Sequence, residues 1–294
     1  DKLLSRLSEN VPADEIEVWP NVKNPEDVKF ALVWKHQHGS LNAYQNLTGI
    51  SSFGAGVDSI LSDPSLPEVP VARIVDPDLA RNMASYILSQ ILSHKLRTPQ
   101  FVQQQKNIIW KPKSPRRGNK VGILGLGQLG VETARTLLNN GFRVSGWSRN
   151  PKVLDGIECF AGDLGLKELT SESDYLVCLL PLTSATENIL NKDMFLNMPN
   201  HAVVLNVARG RHLVDEDLIW ALDNEHIDYA FLDVFRTEPL SHEHPFWQHQ
   251  KIQMTPHVSA VTNIDTAVLQ VVENYQRNKQ GLPLLNTIDR TKGY

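Results

Sequence analysis

Cysteine is scarce, at two in 294 residues, and that excludes a disulfide-stapled secreted scaffold. Cys178 lies inside the apolar run 175–180 and Cys159 beside a short strand, so a reducing cytoplasm is the expected compartment. Long hydrophobic runs are missing too. No stretch approaches the roughly 20 apolar residues that cross a bilayer, and no signal-peptide pattern stands at the start, so no membrane partner is expected. Charge of one sign is equally lacking: 29 Lys and Arg against 33 Asp and Glu leave a net charge of −4. The cluster 113–117 is too short to make an electrostatic footprint for nucleic acid and reads as a solvated linker. There is no internal repeat and no low-complexity tract. The chain opens on Asp1 rather than Met, already within a helical pattern (Leu3, Leu4, Leu7), and the expectation is that a short piece holding a first strand precedes it.

Among what is present, the run Val121-Gly122-Ile123-Leu124-Gly125-Leu126-Gly127-Gln128-Leu129-Gly130 says most. It is an apolar strand turning through G-x-G-x-x-G into a helix. Such glycines let the backbone turn tightly and approach a pyrophosphate, which then lies on the free N–H groups and positive dipole end of the following helix. The glycines alone would be weak support, but their context is complete. Gly130, Ala134, Leu137 and Leu138 share one helical face until Asn139-Asn140-Gly141 stops it, and a second strand follows at 142–147. The turn therefore reads as a dinucleotide site.

At this length two domains are the natural prior. From the glycine turn onward, strands are expected at 121–125, 143–147, 157–160, 175–180, 202–207, 229–234 and 252–255. Helices fall at 129–140, 186–197 and 216–224, the last with Asp215 as its cap. That order predicts an α/β fold with a doubly wound parallel sheet of Rossmann type. The first hundred residues form a separate α/β unit with strands near 15–19, 30–34, 49–53 and 71–74, too few to stand without support. Residues 262–280, apolar at Ile264, Ala267, Val268, Val271 and Val272, are expected to return as a helix and pack beside an early helix at 78–95. The domains are accordingly drawn as 1–92 with 263–294, and 93–262, joined by two crossings with a ligand cleft between them.

Three polar residues end late apolar strands: Arg209, Glu238 and His257. Ligands of open α/β sheets bind at the carboxyl ends of the strands, so these three can share a crevice with the dinucleotide. A hydride reaction explains all three types. A guanidinium grips a carboxylate and polarises an adjacent carbonyl, while an imidazole gives a proton to the carbonyl oxygen as hydride arrives at carbon. A carboxylate hydrogen-bonded to that imidazole favours its charged form and fixes its orientation.

The motifs Gly125-Leu126-Gly127-Gln128-Leu129-Gly130, Asn206-Val207-Ala208-Arg209-Gly210, Leu232-Asp233-Val234-Phe235-Arg236-Thr237-Glu238-Pro239 and Thr255-Pro256-His257 together resemble the D-2-hydroxyacid dehydrogenase family. The chain is more narrowly similar to the bacterial glyoxylate/hydroxypyruvate reductase A group. That likeness rests on Phe53-Gly54-Ala55-Gly56-Val57-Asp58-Ser59-Ile60, Trp110-Lys111-Pro112, Gly146-Trp147-Ser148-Arg149, His257-Val258-Ser259-Ala260-Val261-Thr262 and the terminal Gly293-Tyr294. The resemblance spans nearly the whole chain. It implies a flavodoxin-like substrate domain built from both chain ends, a nucleotide domain in the middle, and a homodimer. It also implies that Arg209 binds a 2-oxo acid, that His257 is the proton donor and that Glu238 is its partner. Backbone amides at Ala55 and Gly56 would hold the substrate carboxylate. Gly125, Gly127, Gln128, Leu129 and Gly130 would hold the dinucleotide, Asp233 and the Val207-Ala208 backbone its carboxamide, and Leu180-Pro181 would line its ring.

One departure from the common NAD pattern points to NADP. After the second strand, where an acid would bond the ribose 2′-OH, stands Ser148 followed by Arg149. Ser148 can donate a hydrogen bond and Arg149 can pair with a 2′-phosphate, with Lys152 assisting, so NADP is expected over NAD; should Arg149 point to solvent, either would serve. His242, His244 and His249, like His36 with His38, lack the ordered Cys or carboxylate spacing that completes a metal site, so no metal is expected. Trp34 either lines the substrate pocket or packs in the core, and Lys35-His36-Gln37 departs from the proline-containing form common in the narrower group. The expected activity is NADPH-dependent reduction of glyoxylate to glycolate or hydroxypyruvate to glycerate. Reduction of bulkier acids such as phenylpyruvate, and a nucleotide-sensing protein without turnover, remain the alternatives.

Overall fold

The computed structural model describes residues 2–293; Asp1 and Tyr294, the latter part of the sequence likeness, lie outside them. The chain divides into two units, one running to Asp78 and resuming at Thr262, the other spanning Leu79–Val261.

The first unit opens with helix α1 (Lys2–Ser8), followed by strands β1 (Phe30–Val33) and β2 (Gly49–Ser52), a short helix α2 (Asp58–Leu61) and strand β3 (Val71–Ala72). The three strands are parallel in the order β1-β2-β3. Ile50, Ile60 and Val71 centre its core, together with Val33, Leu41 and Leu47. The strand expected at 15–19 is not formed. Ala13–Glu15 make a 3-10 turn, and Val18 and Trp19 are left about half exposed. Their alternation imitates a strand, yet a strand holds only if its backbone groups find a ladder partner, and Pro20 removes one donor immediately after.

Helix α3 (Pro77–Lys95) enters the second unit, and α4 (Thr98–Lys106) follows it. The sheet of this unit then builds in the sequence β4 (Lys120–Leu124), α5 (Gln128–Asn139), β5 (Arg143–Ser148), β6 (Glu158–Ala161), α6 (Gly162–Glu172), β7 (Tyr175–Cys178), α7 (Lys192–Asn197), β8 (Val203–Asn206), α8 (Asp215–Asp223), β9 (Tyr229–Leu232) and β10 (Ile252–Met254). All seven strands are parallel, in the order β10-β9-β8-β7-β4-β5-β6. Successive side chains point to opposite faces, so each central strand feeds two cores. Leu176, Cys178 and Val204 enter one of them, and Tyr175, Val177 and Val203 the other. Both faces are covered, which is why these strands read as continuous apolar runs rather than alternating ones.

Helix α9 (Ile264–Lys279) returns to the first unit and packs on α1, β1 and β2. Its Ala267 and Val271 bury against Ile74. The helix expected within 262–280 thus serves the core of the first unit. Met83, Ile87 and Ile91 of α3 repeat every four residues and bury in the second core with Val121, Ile123 and Val203. The first boundary consequently falls at Asp78, at the start of that helix, rather than inside it at residue 92.

Two further details differ from expectation. Of 186–197 only α7 is helical, with Asn191 Oδ1 accepting from the Met194 N–H at 3.1 Å. Asp215 is the first helical residue of α8, and Val214 holds the cap position. Burial pushes the Asp215 carboxyl above its ordinary range. Among the described residues no helix is long and apolar enough to cross a membrane.

Candidate active site

In the second unit the candidate residues follow the carboxyl ends of adjacent strands. Taken across the sheet from β10 to β5, these ends lead into residues 255–257, 233–238, 207–210, 179–181, 125–130 and 148–149. The strand order reverses beside β4, since β5 lies on one side of it and β7 on the other. Such a reversal opens the crevice where open α/β sheets bind ligands.

The glycine turn is shaped by backbone contact. Gly125 has φ +104°, and a Cβ there would stand 2.8 Å from Leu179 O. A Cβ on Gly130 would come within 1.9 Å of Gly125 O, whereas one on Gly127 would meet nothing within 4 Å. The turn is thus closed on its inner side and open at the N-terminus of the twelve-residue α5. Free N–H groups with open space before them fit the pyrophosphate of a dinucleotide. Lys152 Nζ donates to Leu126 O at 2.7 Å, bracing the turn. The Ser148 hydroxyl donates to Asn150 O at 2.8 Å, so its proton is engaged. Arg149 is exposed and meets no carboxylate among the described residues, which leaves it as the cation at the end of β5.

His257 and Glu238 form the expected pair, with Nδ1 2.8 Å from Oε2. The carboxylate accepts, so Nδ1 carries the proton and Nε2 is the nitrogen left to face a ligand. Glu238 Oε1 accepts from the Phe235 N–H at 3.1 Å, which fixes the carboxylate in turn. His257 sits at φ +54° and its N–H donates to Asp233 O at 2.8 Å. Asp233 is fully buried, and its carboxylate clasps the His257 loop. Oδ1 accepts from Thr255 Oγ1 at 2.5 Å and Val258 N at 2.9 Å, and Oδ2 from Ser259 N at 2.9 Å. Tyr86 on α3 closes the network, its hydroxyl 2.6 Å from Thr255 Oγ1. Burial raises the Tyr86 phenol above its ordinary value and keeps it a neutral hydroxyl.

Arg209 is half-buried after β8, with Nη1 donating to Ala208 O at 2.7 Å. Val207, Ala208 and Leu180 are buried beside it along the edge. Two residues missed in the sequence shape this turn. Asn206, fully buried, accepts from Ala208 N at 3.3 Å and donates to Arg209 O at 2.9 Å. His212, also fully buried, has Nδ1 3.2 Å from Arg209 N and Nε2 3.3 Å from Pro181 O. A polar residue closing the apolar run 202–206 was the available signal for Asn206; His212 offered none beyond its nearness to Arg209.

In the first unit, the loop after β2 carries Ala55 and Gly56. Ser52 Oγ accepts from the Gly54 N–H and donates to Gly56 O, both at 3.2 Å, and so shapes this turn. Trp34 is half exposed and lies over the loop, since a Cβ on Gly54 would stand 2.0 Å from its ring. Trp34 is therefore not a core residue. His36 is held by Asp63 at 3.1 Å. Hydrogen bonds, the Gly39 N–H first and the Ser65 hydroxyl next, keep the Asp63 carboxyl well below the usual range. His244 pairs with Asp215 and His249 with Asp223, and no group of three metal-ligating side chains stands together among the described residues.

Residues 88–259 match the family model described as D-isomer specific 2-hydroxyacid dehydrogenase, NAD binding domain. The glyoxylate/hydroxypyruvate reductase A of Yersinia enterocolitica is 36% identical, across 99% of this chain and 95% of its own. Among solved structures, a D-isomer specific 2-hydroxyacid dehydrogenase from Xanthobacter autotrophicus Py2, in complex with NADPH and MES, superposes with a TM-score of 0.91 at 38% identity, covering 99% of this chain and 95% of that one. The NADPH-dependent glyoxylate/hydroxypyruvate reductase of Sinorhizobium meliloti, in complex with NADP and sulfate, gives 0.87 at 35%, covering 91% and 87%. With a dinucleotide turn, an Arg209 turn and a His257–Glu238 pair on one sheet edge, and relatives matching end to end, the chain belongs to the D-isomer specific 2-hydroxyacid dehydrogenase family.

Proposed function

We propose that this protein reduces small 2-oxo acids with NADPH, glyoxylate to glycolate and hydroxypyruvate to glycerate. The observation that carries the reading is the His257–Glu238 pair on the same carboxyl edge as the glycine turn. NADPH, when bound along residues 125–130 with Arg149 at its 2′-phosphate, supplies the two electrons and one hydrogen that the carbonyl carbon gains. Arg209 grips the substrate carboxylate and polarises the neighbouring carbonyl. His257 delivers the second hydrogen, as a proton, to the carbonyl oxygen, and Glu238 holds its Nδ1–H so that Nε2 is the donor. Asp233 keeps the His257 loop in place, and the backbone of Val207 and Ala208 with Leu180 and Pro181 makes the wall for the nicotinamide. Ala55 and Gly56, with Trp34 above them, hold the substrate carboxylate. The unit of both chain ends is accordingly the substrate-binding domain, and Leu79–Val261 the dinucleotide domain. Names and ligands of the relatives support the choice of cofactor and of small acids.

The test is loss of nicotinamide absorbance with glyoxylate, hydroxypyruvate and phenylpyruvate, each with NADPH and with NADH. Rapid loss with NADPH and the two small acids is expected; turnover confined to phenylpyruvate, or none despite cofactor binding, overturns the reading. In the same assay Arg149→Ala raises KM for NADPH about tenfold or more, since a charge-assisted hydrogen bond contributes roughly 1.5–3 kcal/mol. KM for NADH stays put. Equal losses for both would remove Arg149 from the 2′-phosphate.

We also read the working form as a homodimer in a reducing cytoplasm, where Cys159 and Cys178 stay free thiols. Ile108 and Trp110 are 95% and 98% exposed, and Phe101, Val102 and Ile109 extend the apolar surface. An apolar surface of this kind marks an interaction site, and a second copy covers it by a two-fold contact. Ile108→Asp combined with Trp110→Ser is expected to convert a dimer to a monomer by light scattering; a wild-type monomer would refute the assignment.

A further inference from the structure

His212 is a fully buried imidazole to which the reaction assigns no task. It ends the short turn 210–212 that follows Arg209. Its two nitrogens touch two different segments: Nε2 is 3.3 Å from Pro181 O, and Nδ1 is 3.2 Å from both Arg209 N and Arg209 O. Carbonyl oxygens only accept, which decides the tautomer. A proton on Nδ1 would go to Arg209 O, which already accepts from Asn206 Nδ2 at 2.9 Å and from the His212 N–H at 3.2 Å. It would also set bare Nε2 against Pro181 O and break the hydrogen bond from Arg209 N–H to Nδ1. A proton on Nε2 satisfies both ends at once, donating to Pro181 O while Nδ1 accepts from Arg209 N–H.

We infer that His212 is a positioning residue, an Nε2–H imidazole that ties the Arg209 backbone to the loop starting at Pro181. The far end of this tie is itself fixed. Pro181 O also accepts from Thr186 Oγ1 at 2.6 Å, and Thr186 Oγ1 accepts from Thr183 N at 2.9 Å. The near end is fixed as well, because His212 O accepts from Leu190 N at 2.9 Å. His212 thereby sets the spacing between the segment that grips the 2-oxo acid and the segment that flanks the nicotinamide. This role rests on the proposed function; the tautomer does not.

Two measurements test it. Long-range proton–nitrogen NMR on histidine-labelled protein, with the His212 ring assigned by its loss in His212→Asn, is expected to show the Nε2–H tautomer. An Nδ1–H ring or an imidazolium overturns the bridge, whatever the protein's activity. In steady-state assays on folded variants, His212→Phe raises KM for the 2-oxo acid about tenfold with a smaller change in kcat, the loss expected when one buried hydrogen bond is removed. His212→Asn, whose Oδ1 can replace Nδ1 as acceptor for Arg209 N–H, recovers most of that loss. Wild-type KM in His212→Phe, or equal impairment in both variants, refutes the positioning role. A wild type that reduces no 2-oxo acid refutes the proposed function instead, and the NMR result then decides the bridge alone.

Discussion

Replacing His257 by alanine lowers turnover by about 10²- to 10⁴-fold, the usual contribution of a general acid, while NADPH affinity and fold persist. The separation is expected because the bonds that hold this loop do not involve the ring. Asp233 accepts from the backbone N–H groups of Val258 and Ser259, and its carbonyl accepts from the His257 N–H. The ring itself is partly exposed and is bonded to Glu238. His257 already bears the roughly 1–2 kcal/mol cost of a side-chain-bearing residue at φ +54°, so alanine adds little strain there. Glu238→Gln keeps an oxygen to accept from Nδ1–H and removes only the charge, so its loss is smaller than that of His257→Ala. Steady-state kinetics with each variant, beside NADPH titration by fluorescence, check both statements. Wild-type turnover in His257→Ala would remove it as the proton donor.

The sheet edge that carries the candidate residues was legible because the features that mark it are local in sequence. Gly125 to Gly130 announce a strand-to-helix turn within ten residues, and Arg209, Glu238 and His257 each stand just after an apolar run. The central strands were legible for the same reason, as their two buried faces make unbroken runs such as 203–206. What escaped depends on contacts far apart in the chain. The alternation at 15–19 carries no information about whether a neighbouring strand exists to pair with it. Helix α3 shows an apolar stripe, but nothing in that stripe says which of two cores receives it. His212 and Asn206 are polar residues whose meaning lies in Pro181 and Arg209, so their roles appear only once the backbone is folded around them.

Gly210→Ala is expected to damage both stability and turnover, and comparison with Gly127→Ala isolates the cause. A Cβ on Gly210 would stand 1.8 Å from Phe235 C, 2.1 Å from Phe235 O and 2.3 Å from Arg236 N. All three are backbone atoms, so no side chain can swing aside. The turn bearing Arg209 and the loop bearing Glu238 must separate by an ångström or more. Overpacking of this kind costs about 1–3 kcal/mol or more, and a domain of 150–250 residues loses roughly 2–4 °C in Tm per kcal/mol. A displacement of about 1 Å between catalytic groups costs on the order of 10²-fold in rate. Gly127→Ala places its Cβ in open space within 4 Å and keeps extended backbone angles, so Tm is unchanged. That same space lies at the N-terminus of α5, and filling it weakens NADPH binding. Thermal melts and kinetics of the two variants side by side therefore separate them: Tm and turnover fall together in Gly210→Ala, whereas Gly127→Ala keeps its Tm and loses NADPH affinity. A stable, active Gly210→Ala would mean that the two loops tolerate separation and that their close approach does not set the distance from Arg209 to the His257–Glu238 pair.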